Sequence, residues 1–386
     1  MVYRVPIERP VRTSFGAMTD RAGTFVRVTA EDGAFGWGEV FSNFPQVGAE
    51  HRARLVHSLF DPLLKGRECD DPVQTWRWLE GQLRRLAIQC GEPGPFAQII
   101  GAIDQALWDL KARRAQVPLW RLLAADPRTQ GDAVLKRDGA QGEQTAPDSV
   151  ARVRVYASGL GPTAVGEMSA ASHALGFRAI KFKVGFGVDV DRRNFLELRD
   201  AVGPDVQVMV DANQAWDPDE APGRVAELME FSPLWIEEPM PADVPVAVWA
   251  ALATGTGAAF AAGENLRGLQ SFDEALRAGF LRFVQPDVAK WGGISGCREV
   301  ALLARELGVE FCPHWLAGGV GLAASLHLRA AMGQGGYAEV DANPNPLRQA
   351  VCPIEIRDGW VTLSEAPGIG VDPSAAGLEQ YRIKGV

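Results

Sequence analysis

Cysteine, tyrosine and histidine are scarce here: five, four and five residues in a chain of 386. Cys69, Cys90, Cys297, Cys312 and Cys352 are scattered and form no Cys-x-x-Cys pair, which excludes a zinc ribbon or dithiol motif and leaves reduced core thiols. Basic runs are missing too. With a formal net charge of −9 and no cluster to neutralise phosphates, neither nucleic acid nor an anionic membrane is an expected partner. No stretch has the length and apolarity of a membrane span, and Met1-Val2-Tyr3-Arg4-Val5 reads as strand rather than leader, so a cytoplasmic location is expected.

What is present suits a large soluble core, with 47% hydrophobic and 23% charged residues. At 386 residues two domains are expected, one of barrel size. Residues 1–124 begin with alternating strands around a turn at Glu31-Asp32-Gly33, then give helical patterns at 52–64, 73–89 and 96–115, an α+β unit. Periodicity is lost over residues 125–150, which read as an inserted, exposed loop. Residues 151–352 alternate short β runs with helices: 153–157, 179–184, 206–210, 234–236, 258–262, 281–284, 309–312 and 337–340. Eight such strands predict an α/β fold, a (β/α) barrel of TIM type behind an α+β N-terminal capping domain. The tail, 353–386, regains strand character at Trp360-Val361-Thr362-Leu363 and is expected to return to the capping domain.

Three acids close successive apolar runs at nearly even spacing: Asp211, then Glu237 after 26 residues, then Glu264 after 27. That spacing is about one strand, one helix and two loops, so each acid ends its own barrel strand and all three converge at the mouth. An all-oxygen set favours a hard cation, Mg²⁺ before Zn²⁺. Glu237 and Glu238 stand together before Pro239, and alternation does not decide which faces inward.

The other unusual polar residues also fall at strand ends. In Lys181-Phe182-Lys183, alternation turns both lysines into the mouth, where mutual repulsion is expected to lower at least one pKa and supply a neutral amine base. The bland alternative is a pair of surface lysines. Asn213 either donates to a ligand or caps a helix. Asp287 and His314 end consecutive strands, close enough for a carboxylate to orient the imidazole, whereas His51, His57, His173 and His327 read as structural. Glu339 either carries a proton raised by burial or pairs with a barrel lysine.

Taken in order, Lys-x-Lys, Asp-x-Asn, Glu-Glu-Pro, Gly-Glu-Asn, an Asp and a His resemble the enolase superfamily, and within it the mandelate racemase subgroup. Residues 102–110, Ala-Ile-Asp-Gln-Ala-Leu-Trp-Asp-Leu, are similar to the family's capping-domain helix. The resemblance implies Asp211, Glu237 and Glu264 as Mg²⁺ ligands and Lys183 as a general base. It also implies Lys181 against a substrate carboxylate, Asn213 near its 2-hydroxyl, His314 oriented by Asp287 as the acid or base across the site, and Glu339 hydrogen-bonded to an enediolate oxygen. A small-molecule carboxylate substrate follows. Dehydration of a sugar acid is the leading expectation, racemisation or epimerisation of a 2-hydroxy acid the second, and a non-catalytic barrel the minor one. Cap residues near the substrate are expected at 13–16 and 41–45. Symmetric self-assembly is the default expectation.

Overall fold

The computed structural model describes residues 1–13, 16–45, 47–130, 150–333 and 335–385. The chain opens with β1 (Val2–Thr13), β2 (Gly16–Thr29) and β3 (Phe35–Val40), an antiparallel sheet in the order β1-β2-β3. Helix Pro72–Gln89 starts with proline in its first turn and with Asp71 accepting the N–H groups of Val73 and Gln74, the favoured chemistry for a helix start. Helix Pro93–Arg114 ends in Lys111, Arg113 and Arg114, which favour its negative carboxyl end. This second helix lies directly on β3. It can do so because Gly36 and Gly38 lack side chains: a Cβ there would fall 2.1 Å from the Ala106 carbonyl oxygen and 1.9 Å from that of Ala102. The expected helix at 52–64 is Gly48–Leu55 running through a π turn, Val56–Phe60, into Asp61–Leu64.

The expected insertion is partly helical at its start, where Pro127–Gln130 forms a short turn closed by Thr129 N–H on the Asp126 carbonyl. Residues 131–149 of it lie outside the described residues, as do Ser14 and Phe15 of the first expected cap loop.

Eight parallel strands follow: β4 (Arg152–Leu160), β5 (Ala179–Lys183), β6 (Gln207–Asp211), β7 (Ile236–Glu237), β8 (Phe260–Ala262), β9 (Leu281–Val284), β10 (Glu310–Phe311) and β11 (Ala338–Asp341). Neighbours pair in sequence from β4 to β10, and β11 returns to pair with β4, which wraps the sheet into a barrel. Inside, Tyr156, Met209, Trp235, Phe283 and Cys312 pack as one buried cluster that plugs the barrel below the mouth. The Trp235 ring lies 5.3 Å from Tyr156 and 4.8 Å from Phe283, typical of aromatic packing.

Two short strands, β12 (Ile356–Arg357) and β13 (Trp360–Thr362), close the tail. Here the sequence reading needs correcting, because β13 pairs antiparallel with the start of β4 rather than with the cap. The amino end of β4 projects beyond its barrel partners and offers free backbone groups there. The cap is regained later: Ile369 N–H donates to Asp109, Arg113 donates to the Val371 carbonyl, and Ile383 N–H donates to the Val2 carbonyl.

Cap and barrel share a polar seam. In the helix that carries the family-like segment, Asp104 accepts from the N–H and hydroxyl of Ser295 at 2.9 and 2.6 Å, and Gln105 donates to the Val288 carbonyl at 2.8 Å. Glu39 of β3 reaches the start of barrel helix Gly319–Ala331, accepting from Gly318 N–H at 2.7 Å and Gly321 N–H at 3.0 Å.

Candidate active site

All five residues of β5 are buried, so alternation decides their neighbours: Lys181 and Lys183 face the barrel axis, while Phe182 packs outward with its ring 6.4 Å from Phe195. The surface-lysine alternative falls. Parallel register then sets Lys183 beside Asp211, and Asp211 beside Glu237, along one row at the carboxyl ends of β5, β6 and β7. Glu264 follows β8 and joins the same mouth.

The three acids share a pattern that emerges oxygen by oxygen. Asp211 Oδ1 accepts the Asn213 N–H at 2.8 Å, and its Oδ2 meets Lys183 Nζ at 2.6 Å. Glu237 Oε2 accepts Gln285 Nε2 at 2.7 Å and Trp235 Nε1 at 3.2 Å, and its Oε1 meets Lys181 Nζ at 2.6 Å. Glu264 Oε1 takes Asn265 Nδ2 at 3.0 Å and Lys290 Nζ at 3.2 Å, and its Oε2 contacts His314 Nε2. In each acid one oxygen is tethered from outside and the other meets Lys181, Lys183 or His314.

His314 is tied on its other side, with Nδ1 2.6 Å from Asp287 Oδ2, while Asp287 Oδ1 accepts the N–H groups of Ala289 and Lys290 at 2.7 and 3.0 Å. Glu339 bridges the halves of the site: Oε1 lies 2.9 Å from Lys181 Nζ, and Oε2 accepts the Trp315 N–H at 2.9 Å and lies 3.6 Å from His314 Nε2.

Charge follows from these contacts. Burial disfavours the imidazolium of His314, but Glu264, Glu339 and Asp287 outweigh it and hold the pKa well above the ordinary histidine value. Lys181 is not a neutral amine: burial lowers its pKa, but Glu237 and Glu339 raise it further, well above the usual lysine value. Glu339 resolves toward the salt bridge. Burial pushes its pKa up, yet Lys181 and His314 bring it to about 2, so it is an ionised acceptor rather than a ready donor. Burial and the neighbouring Asp211 push Glu237 up to about 7, with Lys181 opposing.

Glu237 is the inward member of its pair. Glu238 takes a left-handed turn at φ +40 and accepts from Asn265 Nδ2 with both oxygens, at 3.0 and 2.8 Å. Asn213 is no helix cap, since the next helix starts at Ala221; its Nδ2 lies 3.2 Å from Asp211 Oδ2 at the mouth. Of the histidines read as structural, His327 accepts the Trp120 N–H at 3.1 Å and His51 lies 2.9 Å from Glu92, both away from the site.

Sequence reasoning missed Trp235, Gln285, Asn265 and Lys290 as members of the site. Lys290 bonds Asn265 Oδ1 at 2.9 Å and lies 4.9 Å from the ring of Phe41, a cap residue in the second expected cap loop. Each sits within three residues of an acid already singled out, and that proximity was the available signal.

Among the described residues no three or more His, Cys, Asp or Glu side chains form a preformed metal cage. Lys181, Lys183 and His314 nitrogens lie against the inward oxygens. The donor set nevertheless fits a hard divalent cation: three carboxylates, each with one oxygen tethered and the other on a cationic partner.

A capped barrel with a lysine pair, a row of acids and an Asp–His couple at its mouth has the layout of a barrel enzyme that moves protons next to a carboxylate. The chain belongs to the enolase superfamily, in its mandelate racemase subgroup: residues 1–124 match the mandelate racemase / muconate lactonizing enzyme N-terminal domain, and residues 164–377 the enolase C-terminal domain-like family. It is 30% identical to D-galactarolactone cycloisomerase of Agrobacterium fabrum, over 98% of this chain and 96% of that one. It is also 30% identical to L-talarate/galactarate dehydratase of Salmonella typhimurium, over 92% and 81%. A mandelate racemase/muconate lactonizing enzyme structure from Bordetella bronchiseptica superposes with a TM-score of 0.85 at 43% identity, covering 99% and 98% of the two chains. A racemase from Streptomyces coelicolor solved with bound magnesium gives 0.83 at 29%, also covering 99% and 98%. The protein is a lyase or isomerase of this superfamily. No helix among the described residues is long and apolar enough to cross a membrane.

Proposed function

We propose that the protein abstracts the α-proton of a sugar acid and dehydrates it to a 2-keto-3-deoxy acid. The observation that carries this reading is the imidazole of His314, locked by its 2.6 Å bond to Asp287 and separated from Lys183 by the row of acids. Lys183 takes the proton from C2. Lys181 steadies the substrate carboxylate as negative charge spreads onto it, Asn213 contacts the 2-hydroxyl, and Glu339 bonds the enediolate oxygen with a proton taken up from water as the substrate binds. His314 then donates its proton to the departing 3-hydroxyl, releasing water and leaving an enol that becomes the 2-keto acid. Asp211, Glu237 and Glu264 would hold Mg²⁺, which stabilises negative charge on the substrate's carboxylate oxygens.

The L-talarate/galactarate dehydratase of Salmonella typhimurium, one of several dehydratases among the relatives, supports the leaving-group step. A racemase or epimerase reading is favoured by the Streptomyces coelicolor neighbour and uses the same two groups, with His314 returning a proton to C2 from the other face. A small-molecule carboxylate substrate is common to both. All five cysteines are unpaired, which supports a cytoplasmic setting; a symmetric homo-oligomer completes the reading.

The test is a panel of sugar acids and 2-hydroxy acids with Mg²⁺ in heavy water. Dehydration yields a product that reacts with semicarbazide; racemisation yields deuterated substrate of inverted configuration. Lys183→Ala and His314→Asn are the controls, and activity untouched by both would refute the mechanism.

A further inference from the structure

Gln285 follows β9 directly and is 1% exposed. Its Nε2 donates to Glu237 Oε2 at 2.7 Å, while its Oε1, equally enclosed, has no hydrogen-bond partner among the described residues. A buried amide with one half unsatisfied is unfavourable, and leucine at the same place would leave no orphan. The backbone beneath it is fixed. Gln285 N–H donates to the Ala262 carbonyl at 2.9 Å, Pro286 restricts Gln285 to an extended conformation, and a Cβ on Gly263 would fall 2.8 Å from the Gln285 backbone. Trp235, immediately before the strand that carries Glu237, donates to the same oxygen at 3.2 Å.

We infer that Gln285, helped by Trp235, is a positioning residue for the metal centre: two neutral donors fix the outer oxygen of Glu237 and so turn its other oxygen toward a divalent cation. Asp211 and Glu264 have their own tethers, in the Asn213 N–H and in Asn265 with Lys290. Gln285 is an informative one because it is an uncharged side chain, so its removal leaves the net charge of the site unchanged. The inference rests on Asp211, Glu237 and Glu264 binding Mg²⁺.

The experiment titrates Mg²⁺ calorimetrically into full-length wild type, Gln285→Leu, Trp235→Phe and Asp211→Asn, with melting in EDTA measured on each. Gln285→Leu is expected to melt in EDTA close to the wild-type temperature, because the lost bond to Glu237 is offset by the removal of an unpaired carbonyl, yet to bind Mg²⁺ about tenfold more weakly, the usual scale for groups that orient a metal ligand. Trp235→Phe shifts the Mg²⁺ constant in the same direction. Unchanged Mg²⁺ affinity in Gln285→Leu overturns the inference, and so does an EDTA melting temperature well below wild type, which marks a merely structural residue. Wild type that binds Mg²⁺ no better than Asp211→Asn refutes instead the underlying assignment of the metal ligands.

Discussion

Replacing Glu39 by glutamine isolates a charge buried where cap meets barrel. Glu39 is 0% exposed, and burial, opposed by the N–H groups of Gly321 and Gly318, raises its pKa from 4.5 to about 8. The folded protein therefore holds this proton more tightly than the unfolded chain does. Its contribution to stability is complete below the unfolded value and is lost as pH rises through the folded one. From about pH 5 to about pH 8.5 the two values imply a loss of about 4 kcal/mol from this single group. Glutamine has no proton to lose, so Glu39→Gln removes that slope while keeping side-chain size. Urea unfolding of both proteins, followed by tryptophan fluorescence at the two ends of this range, measures it: the wild type should lose about 4 kcal/mol relative to the variant. Parallel pH profiles would refute the reasoning. They would mean that Glu39 is ionised throughout, its charge met by the two N–H groups at the helix start.

Three further outcomes are expected. Gly38→Ala places a Cβ 1.9 Å from the Ala102 carbonyl oxygen and should cost about 3 kcal/mol or more, read as a lower urea midpoint or loss of soluble protein. Arg21, 1% exposed and 2.5 Å from Asp341, leaves a poorly compensated buried carboxylate when changed to methionine; a loss of about 3–5 kcal/mol is expected, and adding Asp341→Asn should restore part of it. Asp287→Asn keeps the shape beside His314 but removes the charge that holds its ring, and should lower kcat about 10²- to 10⁴-fold with an unchanged circular dichroism spectrum.

The barrel was readable because its signals are local and repeat. The 26- and 27-residue gaps between acids follow from chain geometry, and Lys181-Phe182-Lys183 declares its inward face by alternation alone. What was unreadable depends on partners distant in sequence. Gln285 is 48 residues from the carboxylate it tethers, and the choice of Glu237 over Glu238 turns on a backbone twist at φ +40. The charge on Lys181 was unreadable for a related reason: alternation revealed the neighbouring ammonium, but not Glu237 and Glu339 closing on it from two other strands. The misplacement of β13 is of the same kind, since strand character is a property of residues and a pairing partner is a property of the fold.

The row formed by Lys183, Asp211 and Glu237 is held by hydrogen bonds of the sheet itself, from one strand to the next. A site mounted on loops can slacken while its scaffold persists; this row has no joint at which to do so. Heat inactivation should therefore coincide with melting of the barrel strands, and amide exchange at 207–211 should stay slow for as long as the enzyme remains competent.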